Sequence, residues 1–214
     1  MKKTITSKAV ERKTINKFIK KIKEPKGFDE LPKVLQNQTK YEIKRDRVLV
    51  MILFLSAGRI SEVLQLRKLN FDFTLQNSKL YQITDMVNLK NKNRDHKTIG
   101  FPVDDSFSNE IREFVEKIRK SNMLLFPQRK VVFGYAKNRY IDRPMNRKTA
   151  LNRIQKYDKK LWCHWFRHAR LSDLAIQGLP DRALTAISGH ASSNMLQVYV
   201  VMSPALYEDK IRGG

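Results

Sequence analysis

The chain has 214 residues, with 43 Lys and Arg against 21 Asp and Glu, so it carries a formal net charge of +22 and a pI near 10.2. That surplus is spread over most of the chain, so a basic tail does not explain it, and it points to a polyanionic partner. The 41% of hydrophobic residues suffice for one buried core, and the length suits a single domain with at most a small appendage.

In chain order, Ile15, Phe18, Ile19 and Ile22 recur at helical spacing before Pro25 and Gly27, predicting one amphipathic helix and a loop. A second helical pattern runs from Tyr41 to Leu66, interrupted at Ala57-Gly58. Its apolar run Val48 to Leu55 is eight residues, too short to span a bilayer and expected to be buried. Phe71 to Leu75, Leu80 to Ile83 and Thr98 to Val103 predict three short antiparallel strands. Asp105-Ser106 opens a helix with Ile111, Phe114, Val115 and Ile118 on one face. The stretch around Pro127 and Pro144 is expected to be a loop, and the remainder to residue 202 helical, with stops at Gly178 and Gly189. The fold class expected is mainly α with a small three-stranded antiparallel β-sheet. A single domain is expected over 1–214: an N-terminal helix and loop over 1–40, a core over 41–202 and a tail over 203–214. Cys163, the one cysteine, cannot form an internal disulfide, which fits a reducing compartment. No apolar segment follows the basic N-terminus as a signal peptide would require.

Three segments carry chemistry. Arg59, in Gly58-Arg59-Ile60-Ser61-Glu62, follows the apolar helix and can offer a phosphate two parallel donors, which a lysine cannot; the plainer alternative is a helical ion pair with Glu62. His164, Arg167 and His168 share one helix face. A zinc site on the two histidines is disfavoured, because Trp165 follows His164 where a metalloprotease carries glutamate, and no further ligands cluster nearby. His168 fits best as a packed helix histidine. The third segment, Ser188-Gly189-His190, is followed nine residues beyond the histidine by Tyr199. A phenol with a pKa of about 10 needs cations or a base to act as a nucleophile at neutral pH, and two arginines with two histidines are groups of that kind.

Together, Ala57-Gly58-Arg59-Ile60-Ser61-Glu62, His164-Trp165-Phe166-Arg167-His168 and Ser188-Gly189-His190 with Tyr199 resemble the signature boxes of the tyrosine recombinase or phage-integrase family, which includes the Xer recombinases and archaeal viral and plasmid integrases. The resemblance spans about residues 5–202 and implies a DNA breaking-rejoining catalytic domain. It implies that Arg59 and Arg167 bind the nonbridging oxygens of the scissile phosphate. His164 would assist proton removal from Tyr199, the nucleophile, and His190 would donate to the phosphate. It further implies a hairpin lysine that protonates the departing 5′ oxygen. The family's usual glycines are missing from Val87-Asn88-Leu89-Lys90-Asn91-Lys92-Asn93-Arg94-Asp95-His96-Lys97; Lys90 is the choice there, with Lys92 and Lys97 as alternatives. Ser188 stands where the family usually has leucine, a change expected to affect packing more than chemistry.

The function implied is site-specific recombination or integration through a 3′-phosphotyrosyl intermediate, without metal, ATP or other cofactor. The implied partner is double-stranded DNA, bound by a homotetramer on two sites that assembles from monomers, in the cytoplasm on the nucleoid or in the host cell of a virus. The resemblance implies an N-terminal core-binding domain in most members, which is expected to be absent from this sequence, making the chain either the catalytic portion of a longer protein or a minimal recombinase. Type IB topoisomerases and telomere resolvases share the constellation, and a noncatalytic DNA-binding protein on the same fold is the alternative from a different class.

Overall fold

The computed structural model describes residues 12–74, 79–89, 96–130 and 139–189. Helix α1 (Arg12–Lys21) buries Ile15, Phe18 and Ile19 and turns its lysines to solvent. The chain then leaves it at Gly27, which is left-handed (φ 73°), a conformation glycine adopts without a Cβ clash.

Helix α2 (Lys33–Leu55) is the axis of the molecule, and every residue from Val48 to Leu55 is buried. Eight consecutive apolar residues can be buried all round only if neighbours cover every side of the helix, and α2 is accordingly contacted by helices from both halves of the chain. It starts eight residues before the expected Tyr41. Lys33 to Lys40 has no apolar stripe, and Val34 is 74% exposed; good helix formers such as Leu35, Gln36, Gln38 and Lys40 carry this turn by propensity rather than packing. The helix ends where expected. Ser56 Oγ donates to the Ile52 carbonyl at 2.6 Å, Ala57 turns left-handed (φ 47°), and Gly58 leads into the short α3 (Ile60–Val63).

Strands β1 (Phe71–Asp72), β2 (Leu80–Val87) and β3 (His96–Pro102) form the expected antiparallel sheet in the order β1-β2-β3. The pairing runs Ile83 to Ile99 and then slips, so that Met86 faces Lys97 and Val87 faces His96. The slip is a β-bulge around Asp85 (φ 53°). It adds one residue and moves the inward face of β2 from Tyr81 and Ile83 to Met86 and Asn88, all buried.

Helix α4 (Ser106–Glu116) opens on Asp105, whose carboxylate accepts from the Phe107 N–H at 2.8 Å. Asp105 also ion-pairs with Arg12, whose guanidinium lies 4.1 Å from the Phe107 ring centroid. The region expected to be a loop around Pro127 and Pro144 is instead a hairpin of β4 (Pro127–Lys130) and β5 (Arg139–Pro144). The two prolines face each other at its open end, the place in a strand where a missing N–H costs least.

Helices α5 (Arg147–Gln155), α6 (Cys163–Ile176) and α7 (Asp181–Ser188) complete the described fold. Gly178 and Gly189 end the last two with positive φ, as their positions predict. Arg153 of α5 bridges Asp46 and Glu42 of α2 at 2.6 and 2.9 Å. Ala57 packs with Leu171, Leu174 and Leu184 in a small core under the α6–α7 pair, so the left-handed turn after α2 sits beneath the last two helices. The helical expectation for 190–202 lies outside the described residues.

Candidate active site

Arg59 caps the start of α3, and Glu62 reaches back to it. The Glu62 carboxylate accepts from the Arg59 N–H at 3.0 Å and from its Nη1 at 2.7 Å. The ion pair anticipated as the plainer reading of Arg59 therefore exists, but it is one part of a larger arrangement. Arg59 Nη1 also donates to Asn88 Oδ1 at 3.0 Å, and Nη2 lies 3.4 Å from the Gly189 carbonyl. Glu62 holds Arg59 from behind while the guanidinium points across the sheet edge to the end of α7.

Arg167 opens the second turn of α6 and is 0% exposed. Its Nη1 donates to the Ala57 carbonyl at 2.7 Å and its Nη2 to the Ser188 carbonyl at 2.8 Å. The fork of the guanidinium thus joins the turn that precedes Arg59 to the turn that precedes His190. Ser188 is fully buried and its Oγ donates to the Thr185 carbonyl at 3.1 Å, so a serine is accommodated there by bonding back to its own helix.

Lys97 completes the set. It points inward, in phase with Ile99 and Phe101 on β3, with its side chain 9% exposed. Its ammonium donates to Glu62 Oε2 at 3.1 Å and to the Ile187 carbonyl at 3.2 Å. Burial opposes the charge on both partners. For Lys97 burial wins, aided by Arg167 and Arg59, and its pKa falls below the ordinary lysine value although Glu62 pulls it upward. For Glu62 burial pushes upward, but Lys97 and the donors of Arg59 outweigh it and hold the carboxyl below its ordinary value.

His164 is exposed on the first turn of α6 and meets His168 edge to face, with ring centroids 4.6 Å apart. His168 is half-buried, as expected of a packed helix histidine, and burial together with the charge of Arg167 lowers its pKa. Among the described residues no three His, Cys, Asp or Glu side chains form a group that could hold a metal ion, and no helix is long and apolar enough to cross a membrane.

The structure therefore brings Arg59 and Arg167 together, with His164 on the same helix as Arg167. Lys90, Lys92, His190 and Tyr199 lie outside the described residues. Glu62 and Asn88 were not singled out for the site. The signal for Glu62 was its place in the Arg59 box; Asn88 becomes legible only once the bulge is known, because strict alternation from Ile83 would turn it outward.

The structure as a whole has the fold of an integrase catalytic domain. The chain belongs to the phage integrase family, whose profile matches residues 27–205. Among solved structures it is similar to the XerH site-specific recombinase bound to difH substrate (19% identity, TM-score 0.59, covering 93% of this chain and 52% of that one). It is also similar to the Tn1549 transposon integrase in complex with circular intermediate DNA (19% identity, TM-score 0.57, covering 93% and 62%). The catalytic domain of bacteriophage HP1 integrase is matched over 94% of this chain and 91% of that one, at 17% identity and TM-score 0.50. The chain thus spans about half the length of the XerH protein and nearly all of the HP1 catalytic domain. No curated protein matches it by sequence.

Proposed function

We propose that this chain is a site-specific DNA recombinase that cuts and rejoins strands through a phosphotyrosyl bond. The observation that carries the reading is the convergence of Arg59 and Arg167, from separate elements, on the Ser188-Gly189 turn that immediately precedes His190. Within this reading Tyr199 Oη attacks the scissile phosphorus as its proton passes to His164. The bond from phosphorus to the 5′ oxygen breaks, and that oxygen leaves with a proton from Lys90. Arg59, Arg167 and His190 hold the negative charge on the phosphoryl oxygens. Preorganised donors of this type usually supply the largest share of catalysis, and loss of one costs on the order of a hundredfold or more in rate. Attack by a 5′ hydroxyl from another duplex reverses the step, so the phosphodiester energy is conserved.

The partner is duplex DNA, a reading supported by the similarity to the XerH recombinase bound to difH substrate and to the Tn1549 integrase in complex with circular intermediate DNA. Assembly as a tetramer on two sites and action on the nucleoid follow from the same reading. The deciding experiment places a nicked attachment-site duplex with the wild-type chain and with Tyr199→Phe. The wild type is expected to give a denaturant-resistant adduct. Tyr199→Phe should give none while binding DNA nearly as well, since one hydroxyl is lost from a large electrostatic interface. An adduct that persists in Tyr199→Phe and vanishes in Tyr207→Phe would overturn the assignment of the nucleophile. DNA binding without any adduct would instead favour a binding protein on this fold.

A further inference from the structure

The last three described carbonyls of the chain each receive a different donor from outside their own helix. Ile187 takes Lys97 Nζ at 3.2 Å and Ser188 takes Arg167 Nη2 at 2.8 Å. Gly189 is approached at 3.4 Å by both Asn88 Nδ2 and Arg59 Nη2. The final carbonyls of a helix have no partner within it and carry the negative end of its dipole, so this turn is an acceptor surface facing three cations. Two of the cations are the arginines assigned above to the phosphate. The other two donors, Lys97 and Asn88, come from opposite arms of the β2–β3 hairpin, and the Asp85 bulge is what turns Asn88 inward to meet Arg59.

The approach is close. A Cβ placed on Gly189 would stand 2.7 Å from Asn88 Nδ2, and the residue is left-handed as well, so both space and backbone call for glycine there. Lys97 is likewise engaged at this turn: its ammonium donates to both Glu62 and the Ile187 carbonyl, and only 9% of its side chain is exposed.

We propose that Asn88 and Lys97 are positioning residues that latch the C-terminal turn of α7 to the hairpin and to the arginine pair, fixing the point from which the chain runs on to His190 and Tyr199. The proposal rests on the cleavage reading above for its effect on rate, but the latch itself can be observed without cleavage. Because the hairpin contributes both contacts, its docking and the seating of the α7 turn are one event.

The test uses Lys97→Met and Asn88→Ala in the full chain, with Lys90→Ala for contrast. Two nicked duplexes serve as substrates, one natural and one with sulfur in place of the bridging 5′ oxygen. A thiol of pKa about 8.5 leaves without the proton an alkoxide needs, so sulfur bypasses a missing general acid but not a misplaced site. Three quantities are read: DNA binding, the rate of adduct formation, and amide hydrogen exchange over residues 185–189. Lys97→Met and Asn88→Ala should retain binding and exchange faster at 185–189. Both should form adduct on the order of a hundredfold more slowly on either substrate, the scale expected of a displacement of about 1 Å. Lys90→Ala should recover on the sulfur substrate and exchange like wild type. If sulfur restored Lys97→Met to the wild-type rate, Lys97 would be the general acid and not a positioning residue. Unchanged exchange at 185–189 in both variants would remove the latch. Asn88→Ala deletes no charge, so it decides the matter should Lys97→Met fail to fold. If the wild type formed no adduct on either substrate, the cleavage reading would fall, and the exchange measurement would still keep or remove the latch.

Discussion

The Glu62 carboxylate is the residue on which the site depends most. Among the described residues it is the one anion paired with both Arg59 and Lys97. Removing one member of a buried ion pair leaves the other uncompensated and costs about 3–5 kcal/mol, so Glu62→Gln is expected to lower stability by that order in denaturant titrations at neutral pH. The pH dependence has a definite sign. Because Glu62 has a folded pKa below its ordinary 4.5, its contribution is fully present above that value and is lost as pH falls through the lower, folded pKa. The stability gap between wild type and Glu62→Gln should therefore close in acid below pH 4.5 and stay constant from there to neutral pH; a gap that widened in acid would show that the carboxyl is not held by its cations. Arg59 and Arg167 were legible through the resemblance of their two boxes to the family, since Arg59 taken alone reads more readily as an ion pair with Glu62. Lys97 could be weighed only as one of three lysines, because its inward phase and its partner on α7 depend on tertiary register.

At the scale of elements, α1 shows what periodicity can and cannot tell. Its apolar stripe was plain in the sequence, but not what the stripe covers. Phe18 meets Phe166 of α6 with ring centroids 5.7 Å apart, directly before the buried Arg167, so a helix outside the profile-matched span supports the one that carries His164 and Arg167. Phe18→Ala should cost about 3–5 kcal/mol, as buried phenylalanine truncations do, read as a lowered midpoint in thermal or denaturant unfolding. A loss below 1 kcal/mol would mean that α1 is not part of the cooperative unit. The sheet was legible because alternation and turn residues mark strands locally. The β4–β5 hairpin was not, since Pro127 and Pro144 signal loops by themselves and only their pairing across the hairpin mouth makes them strand ends. The first turns of α2 escaped for the opposite reason, having helix-forming residues but no buried face.

For the molecule as a whole, the charge of +22 sets how it would meet the DNA of the proposed function. Many arginines are internally engaged, as Arg12, Arg47, Arg59 and Arg153 are with carboxylates, while lysines such as Lys13, Lys17 and Lys20 project into solvent. Binding to duplex DNA should weaken steeply with salt, log K falling with log salt by about 0.9 per phosphate neutralised; a flat titration between low and physiological salt would exclude a phosphate-tracking surface. The chain also carries a built-in stopwatch. Cys163 is its sole thiol, it sits buried one residue before His164, and burial raises its pKa to about 11. Bulk thiol labelling of the intact protein therefore reports a single position, and it proceeds only when the first turn of α6 opens. The labelling rate counts those openings directly, and DNA that seats on His164 and Arg167 should slow the count without any change at the sulfur itself.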